Sequence, residues 1–373
     1  MSSVNRLKWI YRLLLGINIL FGLFFLFALL AVYVNPQSWW LPALAGLSFL
    51  PIFGVNLLFF TLWLFIRRKY SLYSLVFLIF GLTELPNHIQ LNFNHKPGEK
   101  DFKILSLNVR NFDLYNWSDN KKTRDKILNL IEKRNANIIC LQEFFNTTDP
   151  AHQFKTLDTI LQFENHYWSH VEYTTTVKGT EHWGIATFTT FPVVNKGRVY
   201  FSEKTNNTCI FTDVLIERDT FRIYNMHLAS VRFGQDEYKY LEKVVDRNID
   251  PNVQESMNLL TKLKNGFQHR ATQVVEIEKH VKSSPYPVIL CGDFNDTPTS
   301  FTYYTLSAGL QDSFKARGNG LGWTYNGKLP FLRIDYILTD PSIDILSHEV
   351  VHDNISDHYP IFANFQIKKS TDL

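Results

Sequence analysis

Val288-Ile-Leu-Cys-Gly-Asp-Phe-Asn295 is the stretch on which the fold turns. An unbroken apolar run and a glycine lead to two polar side chains, Asp293 and Asn295, set two positions apart. A short continuous apolar run bounded by turn residues reads as a strand covered on both faces. On extended chain, residues two apart project to the same side. Working outward, the same construction recurs. Leu105-Ser-Leu-Asn-Val-Arg110 ends in Asn108 and Arg110, and Ile138-Ile-Cys-Leu-Gln-Glu143 ends in a carboxylate. Ile223-Tyr-Asn-Met-His-Leu228 carries His227, and Ile355-Ser-Asp-His-Tyr-Pro360 carries Asp357 and His358. Arg333-Ile-Asp-Tyr336 places Asp335 between apolar neighbours, where burying a carboxylate without a partner is costly.

Taken one at a time, each motif has an ordinary structural reading. Gly-Asp-x-Asn is a common turn, and a Glu after an apolar strand is usually the strand's exit to solvent. A lone His is more often packed or exposed than chemically active, and Asp-His before Tyr-Pro makes a turn. Six such motifs in one order, each at a strand terminus, are a different matter, because α/β folds gather their ligands there. The strand-like segments are 103–109, 137–141, 184–188, 208–216, 221–227, 287–291, 333–338 and 361–367. Helical spacing of apolar residues runs through 121–134 and 253–281. Strands mixed with helices over this length predict a layered α/β domain rather than an all-β sandwich.

The series Leu-Asn-Val, Leu-Gln-Glu, Asn-Met-His-Leu, Gly-Asp-Phe-Asn, Ile-Asp-Tyr-Ile and Ser-Asp-His-Tyr-Pro resembles the endonuclease/exonuclease/phosphatase superfamily over residues 102–367. That group includes pancreatic-type deoxyribonucleases, abasic-site endonucleases, neutral sphingomyelinases and inositol polyphosphate 5-phosphatases. The resemblance implies a four-layer α/β sandwich, two packed mixed sheets flanked by helices. It implies attack of water on a phosphate ester assisted by Mg2+, with Mn2+ as the alternative. In that scheme Glu143 is the principal metal carboxylate, with Asn108 and Asp357 beside it. His358 is the general base or phosphate-binding imidazole, and Asp335 fixes its tautomer. Asp293 and Asn295 hold the attacking water and a phosphate oxygen. His227 is a phosphate-binding donor or leaving-group acid, which Glu181 is placed to steady, and Arg110 contacts the phosphate.

The first 90 residues are of another kind. From Leu13 to Ile66 there is no Asp, Glu, Lys or Arg. A bilayer core of about 30 Å takes roughly 20 apolar residues as helix, so residues 13–34 and 39–66 each read as a span. Residues 70–86, diluted by Ser71, Ser74 and Glu84, read as a third. Pro51 should kink the second span, and Trp39 and Trp40 suit an interfacial belt. A cleavable signal peptide is the alternative for the first stretch, but a second long apolar run follows it. Arg6, Lys8 and Arg12 precede the first span and Arg67-Arg68-Lys69 follow the second, so the positive-inside rule puts both clusters in the cytosol. With three spans, residues 91–101 are a linker and the catalytic domain, 102–368, faces outward. The expected location is a bacterial inner membrane with that domain in the periplasm; with two spans it stays cytosolic. Cys140, Cys209 and Cys291 are odd in number and lie in strand-like runs, so they read as buried free thiols.

Charge bears on the substrate. The whole chain is +3, but residues 1–96 hold seven basic groups and one acid, leaving the remainder at −3. Phosphate contacts supply most non-specific nucleic-acid affinity, so an acidic domain favours other substrates. A domain tethered close to a bilayer is placed for lipid head groups or small phosphate esters, and the lipid bilayer is its expected partner. The segment 317–331 reads as a substrate-side loop. A membrane-tethered nuclease is the second reading, and a non-catalytic binding module on the same fold is the third.

Overall fold

A computed structural model describes residues 3–92, 101–231, 252–327 and 331–368. The apolar N-terminus forms helices α1 (Ser3–Leu29), α2 (Leu41–Gly46), α3 (Phe49–Ile66) and α4 (Arg68–Gly81). Residues Leu7–Val32 and Phe49–Ile66 are long and apolar enough to cross a membrane. Helix α4 has 14 residues, about 21 Å at the usual rise. Pro51 does not kink a long second helix as the sequence predicts. It falls in the first turn of α3, where its missing N–H would have had no partner in any case. The apolar stretch 39–66 is therefore broken ahead of Phe49.

One polar side chain ties the bundle together. Asn18 is fully buried, and its Oδ1 accepts from Trp63 Nε1 at 3.0 Å and Ser74 Oγ at 2.8 Å. That joins α1, α3 and α4, a role small polar residues play where no water competes. The missing Cβ of Gly22 admits the Phe77 ring between α1 and α4. At one end of the bundle the Arg67 guanidinium lies 5.3 Å from the centre of the Tyr11 ring, which sets the α3–α4 turn beside α1.

The opposite end meets the α/β domain. Gln37 Nε2 donates to Gln268 O and Thr272 Oγ1, both at 2.8 Å, and His88 Nε2 lies 2.7 Å from Thr299 Oγ1. Buried Arg333 donates to Asn87 O at 2.9 Å and through both Nη atoms to Asp312 Oδ2 at 2.8 Å. Its guanidinium lies 4.5–5.4 Å from the ring centres of Tyr303, Phe314 and Tyr336. The Arg333–Asp312 pair lies within the domain; across the junction run the hydrogen bonds to the Asn87 carbonyl and those of Gln37 and His88.

The domain itself is two six-stranded mixed sheets. The first orders β13 (Ile343–Val350), β14 (Ile361–Ile367), β2 (Phe102–Asn108), β3 (Ile138–Thr147), β5 (Glu181–Thr189) and β4 (Trp168–Val177). The second orders β10 (Gln311–Asp312), β12 (Asp335–Thr339), β9 (Val288–Asp293), β8 (Asp219–His227), β7 (Thr208–Ile216) and β6 (Val193–Val199). A short pair, β1 (Gln90–Leu91) with β11 (Asn319–Gly320), joins the end of the bundle to the domain. All eight segments read as strands from the sequence lie in these sheets.

Each sheet has one parallel pair, β2 with β3 and β8 with β9. A parallel pair needs a long crossover, usually a helix. Helix α5 (Thr123–Arg134) lies in the first crossover and α7 (Val253–Lys282) in the second, with α6 (Thr156–Leu161) between β3 and β4. Apolar residues of both sheets, among them Ile104, Cys140, Ile223, Cys291 and Phe365, meet in one central core. The outer faces are covered by Ile127 and Ile131 of α5 and by Val274 and Ile277 of α7. The three cysteines are buried and free. The layers run helix, sheet, sheet, helix, as the resemblance implies, and both parallel pairs point their carboxyl ends to the same rim.

Candidate active site

At that rim the apolar strands run out and polar side chains begin. Strand β2 ends at Asn108, β8 at His227 and β9 at Asp293, and His227 and Asp293 are partners in the β8–β9 register. Asp335, the first residue of β12, pairs with Asp293 on its other side. Glu143 lies where the β3–β5 register slips between Leu141 and Phe144, with a φ of +49°. Such a bulge re-aims a side chain away from the strand's regular alternation. Gly292 has φ +135°, and a Cβ there would run into Met226 O, so only glycine lets β8 and β9 approach this closely.

Asp293 is the centre of the network. It is 1% exposed; Oδ1 accepts from the Asn295 backbone N–H at 2.8 Å and Oδ2 from Asn108 Nδ2 at 3.1 Å. The same Asn108 amide donates to Glu143 Oε1 at 3.2 Å. His227 Nε2 stands 3.7 Å from both Glu143 Oε1 and Asp293 Oδ2, and His358 Nε2 stands 3.7 Å from Asp293 Oδ2. His358 Nδ1 lies 2.9 Å from Asp335 Oδ2. Asn295 donates from Nδ2 to Leu228 O at 3.0 Å. Seven of the residues singled out in the sequence thus form one connected cluster. Asp357 and Arg110 flank it as an ion pair at 3.2 Å, with the Arg110 guanidinium 4.6 Å from the Trp117 ring centre.

Glu181 does not join. It pairs with Lys178 at 3.1 Å across the tip of the β4–β5 hairpin, and neighbouring His182 stacks on Tyr173. The expected steadying of His227 by Glu181 is therefore corrected: the hairpin turn supplies a nearer cation. Of segment 317–331, residues 328–330 lie outside the described ones, while Thr324 and Tyr325 reach the cluster. Thr324 Oγ1 accepts the backbone N–H groups of Ile334 and Asp335 at 3.0 Å, and Tyr325 forms a bridge with His358. Thr324 carries no sequence signal. Ser356, within the Ser-Asp-His motif, donates from Oγ to Asn108 O at 2.7 Å. Arg270 of α7, 1% exposed, also escaped the sequence reading. It bonds Asp296 Oδ2 at 3.1 Å and Ala229 O at 2.7 Å, clamping the turns that follow Asp293 and His227.

Burial sets the electrostatics. Asp293 is pushed up to about 6, chiefly by desolvation, with His358 pulling it down, Asp335 pushing it up and His227 pulling it down. Glu143 is raised by burial and then by the charge of Asp357. Burial alone would lower His358, but Asp335 and Asp293 together hold its pKa well above the usual histidine value. Two donor sets could hold a cation. Asp293, Asp335 and His358 can bring one donor atom each within 4.8 Å of one another, but Asp335 Oδ2 is already committed to His358. Its Oδ1, also buried, has no hydrogen-bond partner among the described residues. Glu143 and Asp357 are mutually repelling carboxylates beside the Asn108 amide, a hard-oxygen set that suits a cation retaining several waters.

Comparison with known proteins agrees with this architecture. The profile of the Endonuclease/Exonuclease/phosphatase family matches residues 105–358, and a second, described as a domain of unknown function, matches 11–88. No curated protein matches the chain. Among solved structures, the endonuclease/exonuclease/phosphatase of Beutenbergia cavernae is 16% identical, covers 72% of each chain and has a TM-score of 0.51. The human Nocturnin catalytic domain with bound sulfate is 17% identical over 74% of this chain and 97% of its own, at 0.51. A family protein from Bacteroides thetaiotaomicron is 18% identical over 73% and 98%, at 0.52. The chain belongs to the endonuclease/exonuclease/phosphatase family, whose members are typically phosphoesterase hydrolases.

The Asp335–His358 contact makes a pH-dependent prediction for metal-free protein. A histidine whose folded pKa is raised stabilises the fold fully below its unfolded value, about 6.5, and loses that contribution as pH climbs through the folded value. The stability difference between parent and Asp335→Asn should therefore be largest near pH 6 and shrink as pH rises. Denaturant unfolding across that range checks it, and a difference independent of pH would remove the charged pair.

Proposed function

We propose that the chain is a membrane-anchored, divalent-metal-dependent phosphoesterase acting on a lipid head group or small phosphate ester. The observation that carries this is the buried Asp335–His358 contact facing Asp293, with Asn108 bridging Asp293 to Glu143. In this reading Glu143, Asn108 and Asp357 would hold Mg2+, or Mn2+ in its place, which when bound would supply positive charge for the phosphate and the leaving oxygen. Asp293, raised toward neutral pH, takes the proton of the attacking water, since a base poised near the working pH is the most effective. Asn295 positions that water and a phosphate oxygen. Asp335 accepts from Nδ1–H of His358 and, with Asp293, holds the imidazole protonated, so its Nε2–H is free to donate to the phosphate. His227 donates to the leaving oxygen, and Arg110 contacts the phosphate at the rim.

The anchoring and its direction are supported by the bundle. Arg67 meets Tyr11, the residue before Arg12, at one end, and the α/β domain packs on the other end through Gln37, His88 and Asn87. With the basic end cytosolic, the domain faces outward, the periplasm in a bacterial inner membrane. A nuclease reading has its own support in exposed Tyr115 and Trp117, whose ring centres lie 4.9 Å apart beside Arg110. Aromatic faces next to a cation can stack bases.

Two measurements test this. Detergent-solubilised protein with Mg2+ should release head-group phosphate from phospholipids and leave plasmid DNA intact, and His358→Ala should lose at least about two orders of magnitude in rate. DNA nicking that disappears in His358→Ala would establish the nuclease instead. For orientation, a reporter active only outside the cytosol should be active when fused after Leu373; a silent fusion would reverse the direction.

A further inference from the structure

A cavity of about 320 Å³ lies at the junction of the bundle and the α/β domain. Leu47, Leu50 and Pro51 wall it on the bundle side, and Pro298, Leu321 and Leu332 on the domain side. Its size is at the lower end of the roughly 300–1,000 Å³ of small-molecule sites. We infer that this cavity seats the acyl chain of a bilayer lipid. The inference rests on the membrane reading above and adds to it a binding site separate from the candidate active site.

Three observations carry it. First, the cavity continues a surface that is already apolar. Pro51, Gly54, Leu58 and Phe65 are exposed at helical spacing along one face of α3, and Pro51 is itself a cavity wall. A chain lying against that face meets the cavity at the helix's first turn. Second, among the described residues the lining offers a head group no exposed charge. Both Nη atoms of Arg333 are bonded to Asp312. His88 contacts Thr299 and stacks on Phe49 at 4.7 Å, and burial, with the Arg333 charge, lowers its pKa to about 3. Among the described residues the lining has no carboxylate. An uncharged, elongated apolar group fits the Leu and Pro walls. Third, the domain-side wall is built from the approaches to the candidate active site. Thr297 stands two residues beyond Asn295, and Arg333 two residues before Asp335. Leu332 O accepts the backbone N–H groups of Thr324 and Tyr325, the segment that touches Asp335 and His358.

The test uses the full chain in nanodiscs containing phosphatidylcholine with a diazirine on one acyl chain. After illumination, peptides containing Pro298 and Leu332 should carry the lipid label, along with the exposed face of α3. Labelling confined to the bundle, with none on those two domain peptides, would overturn the inference. Leu50→Trp, which fills the cavity from the bundle side, should abolish the label on the domain peptides while α3 remains labelled. Leu332→Trp fills it from the other side and is read in the same way at Pro298. Domain labelling that survives in a folded filled variant would mean contact with the bilayer surface rather than occupancy, and would also overturn it. Labelling needs no turnover, so its failure is separate from failure of the phosphoesterase reading, which hydrolysis reports.

Discussion

A carboxylate buried at the end of a strand has to be satisfied, and Asp293 is satisfied by parts of the chain that are far apart in sequence. Its oxygens take the Asn295 N–H and the Asn108 amide, and both imidazoles stand 3.7 Å away. Those partners come from two sheets, so the cluster assembles only when the sheets pack with their parallel pairs aligned. The central core of Ile, Phe and Cys side chains supplies that packing. Beneath the cluster the core turns polar, where Gln142 Nε2 donates to Asn225 Oδ1 at 2.7 Å across the sheets. The hydrogen-bonded layer fixes relative position in a way that sliding apolar surfaces do not.

The second constraint is the junction. Arg333, two residues ahead of Asp335, links Asn87 at the end of the bundle to Asp312, and His88 holds Thr299 just beyond the Asn295 turn. The end of the bundle therefore grips both strands that deliver Asp293 and Asp335. The bundle and the candidate active site thus share a structural element, and the cavity lies between them.

Much of this was legible in the sequence, because buried strands write themselves as apolar runs and their polar ends stand out. Residues 103–109, 208–216 and 288–293 are such runs. The long strands that escaped, Trp168–Val177, Val193–Val199 and Ile343–Val350, each lie at a sheet edge. Edge strands are kept polar against aggregation, as Thr174-Thr-Thr and Asn195-Lys-Gly-Arg show, so no alternation marks them. The paired acids and histidines were readable because each followed a strand. Thr324, Arg270 and the Arg333 linkage were not, since their partners lie tens to hundreds of residues away. Pro51 misled because a proline reads equally as a kink or a first turn, and only the break ahead of Phe49 decides. Glu181 misled because proximity to a strand start says nothing of a competing lysine across the hairpin.

The central claim is a division of labour, with Glu143 and Asp357 for the cation and Asp335 for His358. Calorimetric titration of Mn2+ into metal-stripped full-length protein tests it most directly. The account predicts binding weakened by about tenfold or more in Glu143→Gln and little changed in Asp335→Asn. Binding lost in Asp335→Asn but kept in Glu143→Gln would put the ion in the Asp293–Asp335–His358 cluster and contradict the account.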